Sequence, residues 1–400
     1  MGSVNSKMAA LGNVRSVIRE LFEYGNKRAK EIGRENIFDF SLGNPSVPAP
    51  EKLTDTIISL CKDTDPVALH GYTSAPGAED VRAAIADDIN KRFSAGVTKN
   101  DIYMTCGAAA SLTVTLNALA NEGDSVVAIA PFFPEYRVFA EAAGFHFVVV
   151  PANTKDFTVD LLAFENSIDA SVKAVIVNSP NNPTGVVIPP EIIRSMCSIL
   201  KAKEAEFGHP IFLISDEPYR ELVYDPSTVV PYLINEYDDT IVCYSFSKSL
   251  SVPGERIGYI VVSNRMKDHD DVYAAVCGAG RALGFVCAPS MMQRVAAACL
   301  GEVSDLEVYR TNRDLLYNAL TEYGFQCFHP DGAFYLFVKA PEEDANTFSL
   351  RARNHELLLV PSDSFGCPGY VRIAYCVKTE MIQHSLPAFK ALAQEYGICK

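Results

Sequence analysis

The sequence lacks the cysteine and apolar patterns of several common protein classes. Its 11 cysteines include no CxxC pair, which argues against a zinc site and a disulfide framework and favours free thiols in a reducing compartment. No apolar run is long enough to cross a bilayer, and residues 1–16 lack the apolar core of a signal peptide. We therefore expect a cytoplasmic protein that binds neither a metal ion nor a membrane.

Positive charge is also scarce. The 35 Lys and Arg residues face 49 Asp and Glu, for a net charge of −14. This balance argues against binding to nucleic acid, although local positive pockets for small anions remain compatible with it. The length of 400 residues is enough for a large core and indicates two domains.

Short apolar runs alternate with helical patterns through the middle of the chain. The runs are rich in Val and Ile without regular polar alternation, which is typical of parallel strands covered on both faces. We predict strands at 126–130, 145–151, 173–178, 211–217, 240–247 and 257–263. Apolar spacing predicts a helix at 80–93, ahead of these strands. Prolines and Glu191 indicate the start of another helix at 189–207, between two of the strands. The alternation favours an α/β fold, with a mostly parallel sheet flanked by crossover helices.

The pattern changes after about residue 290. A long helical stretch at 290–322 leads into two later strand-like segments, which is typical of a smaller α+β domain. A helix at 14–32 and the loop after it are too short to form a domain alone. We expect a large domain over 47–284 and a small domain formed by 1–46 and 285–400.

Polar side chains follow several predicted strands, where ligands bind in open α/β sheets. These are Asn182, Asp216, Tyr219 and Lys248. Separately, Gly107 precedes an Ala-rich helix, and the free N–H groups and positive dipole end of such a helix form an anion site. A phosphate site, an acid and a lysine at strand ends together suggest one cofactor.

Four motifs occur in a fixed order along the chain: NNPTG (181–185), SDEPY (215–219), SFSKSLSVPGERIGY (245–259) and VRIAY (371–375). This ordered set resembles the fold-type I, pyridoxal-phosphate-dependent aminotransferases of class I/II, which include aspartate aminotransferase. The resemblance covers nearly the whole chain. It implies a seven-stranded sheet in the large domain, pyridoxal 5'-phosphate as cofactor, and amino transfer from an L-amino acid to a 2-oxo acid such as 2-oxoglutarate.

The resemblance assigns the chemistry to residues at the strand ends. Lys248 would form the Schiff base and then carry a proton, which needs an amine whose pKa is lowered by burial and nearby positive charge. Asp216 would keep the ring nitrogen protonated, and Tyr219 and Asn182 would donate to the phenolate oxygen. The structural alternatives are a solvated lysine, a capping or turn aspartate, and a turn asparagine.

The resemblance also implies a phosphate site. Arg256 and Ser245 would bind the phosphate together with backbone N–H groups of Ala108 and Ala109, which follow Gly107. A guanidinium suits this role because its planar fork makes paired hydrogen bonds.

Two aromatic residues complete the implied cofactor site. Phe133 in PFFPEY would stack on the ring, although an aromatic there fits a core equally well. Tyr72 in HGYTSAPG would reach the phosphate of the partner subunit, which implies a homodimer with active sites at the subunit interface. A simple loop tyrosine is the alternative.

The resemblance also implies a substrate site, whose main residues are Arg372 in VRIAY and Gly43 in SLGNP. Arg372 would pair with the α-carboxylate, with Gly43 letting the backbone approach and Asn182 beside it. A surface ion pair is the alternative for Arg372. Arg281 would touch a distal carboxylate from the partner subunit, or would lie at a helix end on the dimer surface. Ala109 stands where some aspartate-using relatives carry a lysine, so that device is absent.

Other interpretations of the sequence remain open. A carbon–sulfur β-lyase would use the same scaffold and the same carbanion chemistry. A non-catalytic cofactor-binding domain of a transcription regulator is disfavoured, because SLGNP begins near residue 41 and leaves no room for a helix-turn-helix. Arg15, Arg19 and Arg28 lie on a helix that could act as a lid, or simply on a solvated face. The motifs do not name the amino donor; aspartate is favoured because it is common among relatives.

Overall fold

The computed structural model of the chain describes residues 4–13 and 16–399. In these residues the strands are Phe38–Asp39 (β1), Ile102–Thr105 (β2), Ser125–Ile129 (β3), His146–Val150 (β4), Val172–Asn178 (β5), Phe212–Asp216 (β6), Thr240–Ser245 (β7), Gly258–Val262 (β8), Cys327–Phe328 (β9), Tyr335–Lys339 (β10), Leu357–Leu358 (β11), Val360–Pro361 (β12) and Tyr370–Ala374 (β13).

The α-helices of the same residues alternate with these strands through the middle of the chain. They are Ser6–Asn13 (α1), Val17–Ile32 (α2), Glu51–Asp63 (α3), Pro66–His70 (α4), Glu79–Phe93 (α5), Ala108–Leu119 (α6), Glu135–Ala143 (α7), Leu161–Asn166 (α8), Pro190–Phe207 (α9), Phe246–Ser249 (α10), His269–Ala282 (α11), Ser290–Ala298 (α12), Leu306–Glu322 (α13), Ala345–Arg353 (α14) and Thr379–Glu395 (α15).

A seven-stranded sheet forms the centre of the molecule's larger part, in the order β2-β8-β7-β6-β5-β3-β4. The strands β3 to β7 pair in parallel, which confirms the predicted mostly parallel sheet. The strand predicted at 257–263 is an exception. It is β8, which runs antiparallel to both β2 and β7, because the connection at 246–257 returns along the same edge without a crossover.

The sheet is covered on both faces, as the apolar runs predict. Successive side chains of a strand point to opposite faces, so neighbours in β6 enter different clusters. Ile214 packs with Leu112 of α6, whereas Leu213 packs with Ile193 of α9. A third cluster joins β7 and β8 to α5 and α12. Both layers of helices therefore hold the strand ends in place.

The chain divides into two compact units. Of the described residues, those within 1–44, 308–330 and 334–400 form the first unit, and those within 45–307 and 331–333 form the second. The predicted boundary at residue 284 therefore lies inside the second unit. The physical reason is α12, whose Met292 and Val295 pack with Ile85 of α5 in one cluster.

The first unit contains a four-stranded antiparallel sheet in the order β12-β13-β10-β9, and β1 pairs in parallel with β11. The long helical stretch predicted at 290–322 is two helices, α12 and α13, separated by residues 299–305. Among the described helices, none has the length and apolar character that crossing a bilayer requires. The 11 cysteines are free thiols.

Gly258, the first residue of β8, packs closely against other backbone. A Cβ atom there would lie 2.3 Å from the carbonyl oxygen of Tyr244 and 3.0 Å from the Cα of Gly107. Because backbone cannot move aside as a side chain can, we predict that Gly258→Ala lowers the free energy of unfolding by about 1–3 kcal/mol.

Chemical denaturation would measure this loss. Gly254→Ala is the matched control, since a Cβ there would meet nothing within 4 Å. Equal denaturation midpoints for the two variants would contradict the predicted clash.

Candidate active site

Three parallel strands end side by side and bring their following loops to one edge of the sheet. Asn178 at the end of β5 lies opposite Asp216 at the end of β6, and Asp216 lies opposite Cys243 of β7. The loop with Asn182 follows β5, and the turn with Lys248 follows β7. The structure thus positions these predicted site residues on adjacent strand ends, where α/β sheets bind ligands.

Asp216 is a buried carboxylate, with only 4% of its surface exposed. Its side chain points to the same face as Ile214, towards α7, and there the Tyr136 hydroxyl donates to Oδ2. Within the described part of the chain, Oδ1 has no hydrogen-bond partner. A buried acceptor of this kind is rare unless a ligand or water completes it.

The environment of Asp216 also controls its protonation. Burial raises the pKa of the carboxyl to about 7, the hydrogen bond from Tyr136 opposes the rise, and the charge of Glu217 adds to it. The group therefore titrates near neutral pH when no cation lies beside it. A positively charged N–H donor at Oδ1 would restore the ionised form and satisfy the free oxygen.

The Asn178 side chain links the loop after β5 to the backbone of Asp216. Its Nδ2 donates to the backbone oxygen of Asp216 at 2.9 Å, and its Oδ1 accepts from the backbone nitrogen of Asn182 at 2.8 Å. Asn182 is consequently buried, and its position is tied to the end of β6. Asn178 was not singled out from the sequence, although it is the last residue of the run KAVIVN.

A buried ion pair fixes the turn after Asp216. Arg220 Nη2 donates to Glu217 Oε1 at 2.7 Å, and the Ser215 hydroxyl donates to the same oxygen at 2.7 Å. The guanidinium also donates to the backbone oxygens of Val230 and Pro231. Because Glu217 and Arg220 flank Tyr219, their pairing holds this buried tyrosine beside the strand end.

Lys248 lies on the short helix α10, directly after β7. Ser245 caps the helix, with Oγ accepting from the backbone nitrogen of Ser247 at 3.2 Å. Lys248 is half-buried, whereas its neighbours Ser247 and Ser249 are buried. The cap and the buried neighbours fix the backbone from which the lysine projects.

The start of α6 forms a positively charged site. Gly107 caps the helix with φ 88°, and a Cβ there would lie 2.9 Å from Arg256 Nη2. Only glycine suits both the backbone angle and this close approach of the guanidinium. The backbone N–H groups of Ala108 and Ala109 in the first turn have no partner within the helix. Together with the helix dipole and Arg256, they can bind an anion.

Ser245 is linked to this anion site through the sheet. It lies opposite Gly258 in the β7–β8 pair, and Gly258 packs on the backbone of Gly107. Phe133 lies near Asp216, not near the anion site, because it packs against the Tyr136 that bonds to this carboxylate. Its ring centroid is 5.7 Å from that of Tyr136, with the rings edge-on.

Two predicted residues lie on the surface. Tyr72 is 91% exposed in the loop between α4 and α5. Arg281 is exposed in the last turn of α11. Among the described residues, no hydrogen bond or ion pair joins either side chain to the groups above.

Arg372 and Gly43 belong to the first unit, where they form a cluster of their own. Arg372 is 2% exposed in β13, which contradicts the alternative of a surface ion pair. Its Nη2 donates to the backbone oxygen of Ser41 at 2.6 Å, and its guanidinium lies 4.7 Å from the Tyr335 ring centroid. A Cβ at Gly43 would lie 2.2 Å from the Tyr335 hydroxyl, so only glycine fits there.

The N-terminal arginines have separate environments. Arg28 pairs with Glu31 and Glu356, a contact that attaches α2 to the rest of the first unit. Arg19 is exposed, and Arg15 lies outside the described residues.

Sequence reasoning missed Tyr136, Asn178 and the pair of Glu217 and Arg220. Tyr136 ends the motif PFFPEY, which was noted only for Phe133. Nothing in the sequence pairs it with Asp216, because the two are 80 residues apart and meet only through the packing of α7 on the sheet.

Comparisons with a family profile and with curated proteins both find aminotransferases. The family profile described as "Aminotransferase class I and II" matches residues 35–389. A probable aspartate aminotransferase of Methanocaldococcus jannaschii is 29% identical over 385 residues, which cover 94% of this chain and 96% of that protein.

The solved structures that this chain resembles include aminotransferases as well. A crystal structure of an amino transferase from Eubacterium rectale is 53% identical with a TM-score of 0.97, covering 99% of this chain and 100% of that chain. An aspartate aminotransferase from Thermotoga maritima is 26% identical with a TM-score of 0.86, covering 97% and 99%.

The raised pKa of Asp216 predicts a pH-dependent cost in stability for protein without cofactor. The folded state keeps the proton up to about pH 7, whereas the unfolded chain releases it near the ordinary value of 3.8. Stability contributed by this group is therefore lost as pH rises from about 4 to about 7. Asp216→Asn removes the charge, and we predict that it stabilises the cofactor-free protein by about 2–3 kcal/mol more at pH 8 than at pH 5.

Denaturation at both pH values would test this prediction. Asp55→Asn on the exposed face of α3 is the control and should show no such pH dependence. A gain from Asp216→Asn that is equal at the two pH values would mean that Asp216 ionises normally in the fold.

Proposed function

The chain belongs to the class I and II aminotransferases, and on this basis we propose that it uses pyridoxal 5'-phosphate to transfer the amino group of an L-amino acid, with aspartate the favoured donor, to a 2-oxo acid such as 2-oxoglutarate. The observation that carries the proposal is the buried carboxylate of Asp216 with its free Oδ1, on the strand beside the one that leads to Lys248. The relatives named above are aminotransferases, so the carbon–sulfur β-lyase alternative is not favoured.

The residues present fit this cofactor at both ends. A protonated ring nitrogen suits the free oxygen of Asp216, and a phosphate suits the positive site formed by Arg256 and the start of α6 at Gly107. Phe133 would cover one face of the ring. Tyr219 would donate to the ring's phenolate oxygen. Bound there, the cofactor supplies an electron-withdrawing ring that stabilises negative charge on the substrate Cα.

Asp216 holds the proton at the ring nitrogen. A positive charge at Oδ1 lowers the pKa of the carboxyl from its value of about 7 in the free site, so the carboxylate ionises as the ion pair forms. Tyr136 orients the carboxylate by holding Oδ2, which leaves Oδ1 for the nitrogen.

Lys248 attaches the cofactor and then acts as the base that moves a proton at the substrate Cα. Its position on α10 fixes where the amine can reach, because the helix is capped by Ser245 and anchored by buried neighbours. The two substrates use the same site in turn, in a ping-pong order. A single lysine therefore serves both half-reactions.

Arg372 binds the substrate α-carboxylate. Its planar guanidinium is buried, and it is held by the backbone of Ser41 and the Tyr335 ring, so it is preorganised for a carboxylate. The absence of a side chain at Gly43 lets its backbone lie against the Tyr335 hydroxyl, and this backbone would approach the same carboxylate. Asn182, which Asn178 holds beside the end of β6, would take part in substrate binding as well.

Tyr72 and Arg281 act on a partner subunit. Both side chains are exposed, which supports a homodimer in which Tyr72 reaches the partner's phosphate. Arg281 would meet a distal substrate carboxylate there. The free thiols support a reducing cytoplasmic environment.

A panel of amino donors tests the proposed reaction. Protein loaded with cofactor should convert the donor to its 2-oxo acid over many turnovers only when a 2-oxo acid acceptor is present. The highest kcat/KM should be for aspartate, with aspartate, alanine and aromatic donors assayed with 2-oxoglutarate and glutamate assayed with oxaloacetate. Lys248→Ala should lower the rate by more than about 10³-fold and remove the visible absorbance of the lysine-bound cofactor. Lys155→Ala, at an exposed position, is the control and should leave both unchanged.

The outcomes separate the parts of the proposal. Pyruvate and ammonia released from a β-substituted amino acid such as cystathionine, without a 2-oxo acid acceptor, would indicate the lyase instead. A donor other than aspartate with a higher kcat/KM would overturn the donor assignment alone. A near-normal rate in Lys248→Ala would remove this lysine from the reaction.

A further inference from the structure

A cavity of about 250 Å³ lies within the second unit, next to the helix α10. Its wall includes Arg92, Glu221, Tyr244, Phe246, Ser249 and Tyr259, none of which belongs to the candidate active site. Ser249 follows Lys248 directly but lines this other cavity. The cavity therefore lies on the far side of the turn that carries the lysine.

Three aromatic rings form one wall of the cavity. The rings of Tyr244 and Tyr259 are stacked with centroids 4.8 Å apart, and Phe246 meets Tyr244 edge-on at 5.2 Å. All three residues are buried. Aromatic walls of this kind bind apolar groups, and their electron-rich faces also attract positive charge.

The charged groups of the cavity are not balanced. Arg92 donates to Glu221 Oε1 at 2.9 Å and to Asp88 Oδ2 at 3.3 Å, so one positive charge faces two carboxylates. Glu302 at the rim is paired with Lys52 at 3.0 Å. One negative charge of the lining therefore has no matching cation among the described residues.

The unsatisfied atom is Glu221 Oε2. It is buried, and no donor among the residues that the structure describes lies within hydrogen-bond distance of it. The Tyr244 hydroxyl is the nearby donor group, and burial, followed by the charge of Glu221, raises its pKa. A buried carboxylate oxygen without a donor is costly, so a site of this kind favours a ligand that brings the donor. Asp216 Oδ1 has the same feature at the proposed cofactor site.

We propose that this cavity binds a small organic ammonium ion. Its charged N–H donates to Glu221 Oε2, and its apolar substituents pack against Tyr244, Phe246 and Tyr259. This assignment concerns a site separate from the reaction and stands whether or not the donor and acceptor assigned above are right.

Occupancy of the cavity is transmitted to α10 by two hydrogen bonds. The Tyr244 hydroxyl donates to Ser249 Oγ at 3.2 Å, and the backbone nitrogen of Ser304 donates to the Ser249 carbonyl oxygen at 2.7 Å. Ser304 belongs to the connection between α12 and α13, whose residues 299–303 also line the cavity. A ligand that immobilises these groups also immobilises the turn bearing Lys248.

Isothermal titration with triethylammonium tests the site. This tertiary amine carries one N–H donor and a positive charge but cannot condense with an aldehyde, so covalent capture by the cofactor does not contribute. We expect one ligand per chain, with the affinity at least about tenfold lower in Glu221→Gln, because a buried charge-assisted hydrogen bond is lost. Glu302→Gln is the matched control and should change the affinity less than about fivefold, since its pair with Lys52 is exposed.

Two further arms keep the test decisive if Glu221→Gln folds poorly. Hydrogen exchange at residues 245–251 of the wild-type protein should slow when triethylammonium binds. Potassium and tetramethylammonium, which carry charge without an N–H donor, should bind at least about tenfold more weakly. Absence of binding to the wild type, equal binding to Glu221→Gln, or equal binding of potassium would overturn the assignment.

None of these readouts involves amino transfer. A failure of this proposal and a failure of the proposed function are therefore distinguishable.

Discussion

A carboxylate buried without a complete set of donors is the constraint on which the candidate site depends. Asp216 lies at the end of a central strand, where burial disfavours its charge and Tyr136 satisfies only one of its oxygens. The fold keeps this arrangement although an apolar or amide side chain would be easier to bury. Such a local conflict is typical of functional sites, where stability is lost in exchange for a preorganised charge.

The positions of the other groups follow from the sheet. Because side chains alternate between the two faces of a strand, Asp216 faces α7 with Ile214, and Ser245 faces α6 with Cys243. Tyr244, between Cys243 and Ser245, faces the opposite side of the sheet and lines the proposed ammonium site. One run of three residues, Cys243 to Ser245, thus separates the candidate active site from the proposed ammonium site.

Much of this arrangement could be predicted from the sequence, and the exceptions have physical causes. The apolar runs predict β3 to β8 closely, since strands buried on both faces must be apolar throughout. The direction of β8 and the packing of α12 could not be predicted, because both depend on contacts between distant segments. β2 was missed because its four residues are too few to show a pattern.

Within the candidate site, too, some residues could be predicted from sequence motifs, whereas others depend on contacts between distant segments. Lys248, Asp216 and Arg256 lie in motifs that keep their order along the chain, so they could be proposed as site residues from the sequence alone. The partner of Asp216, Tyr136, is remote in sequence and becomes apparent only when α7 packs on the sheet. The burial of Arg372 against Tyr335 is likewise a property of the folded first unit.

Nitrogen NMR of the protein loaded with cofactor labelled with ¹⁵N at the ring nitrogen tests most directly whether Asp216 holds a positive N–H. The wild type should show the chemical shift of a protonated ring nitrogen at pH 8, and Asp216→Asn should show that of a neutral one. A neutral ring nitrogen in the wild type at pH 8 would contradict the role assigned to Asp216.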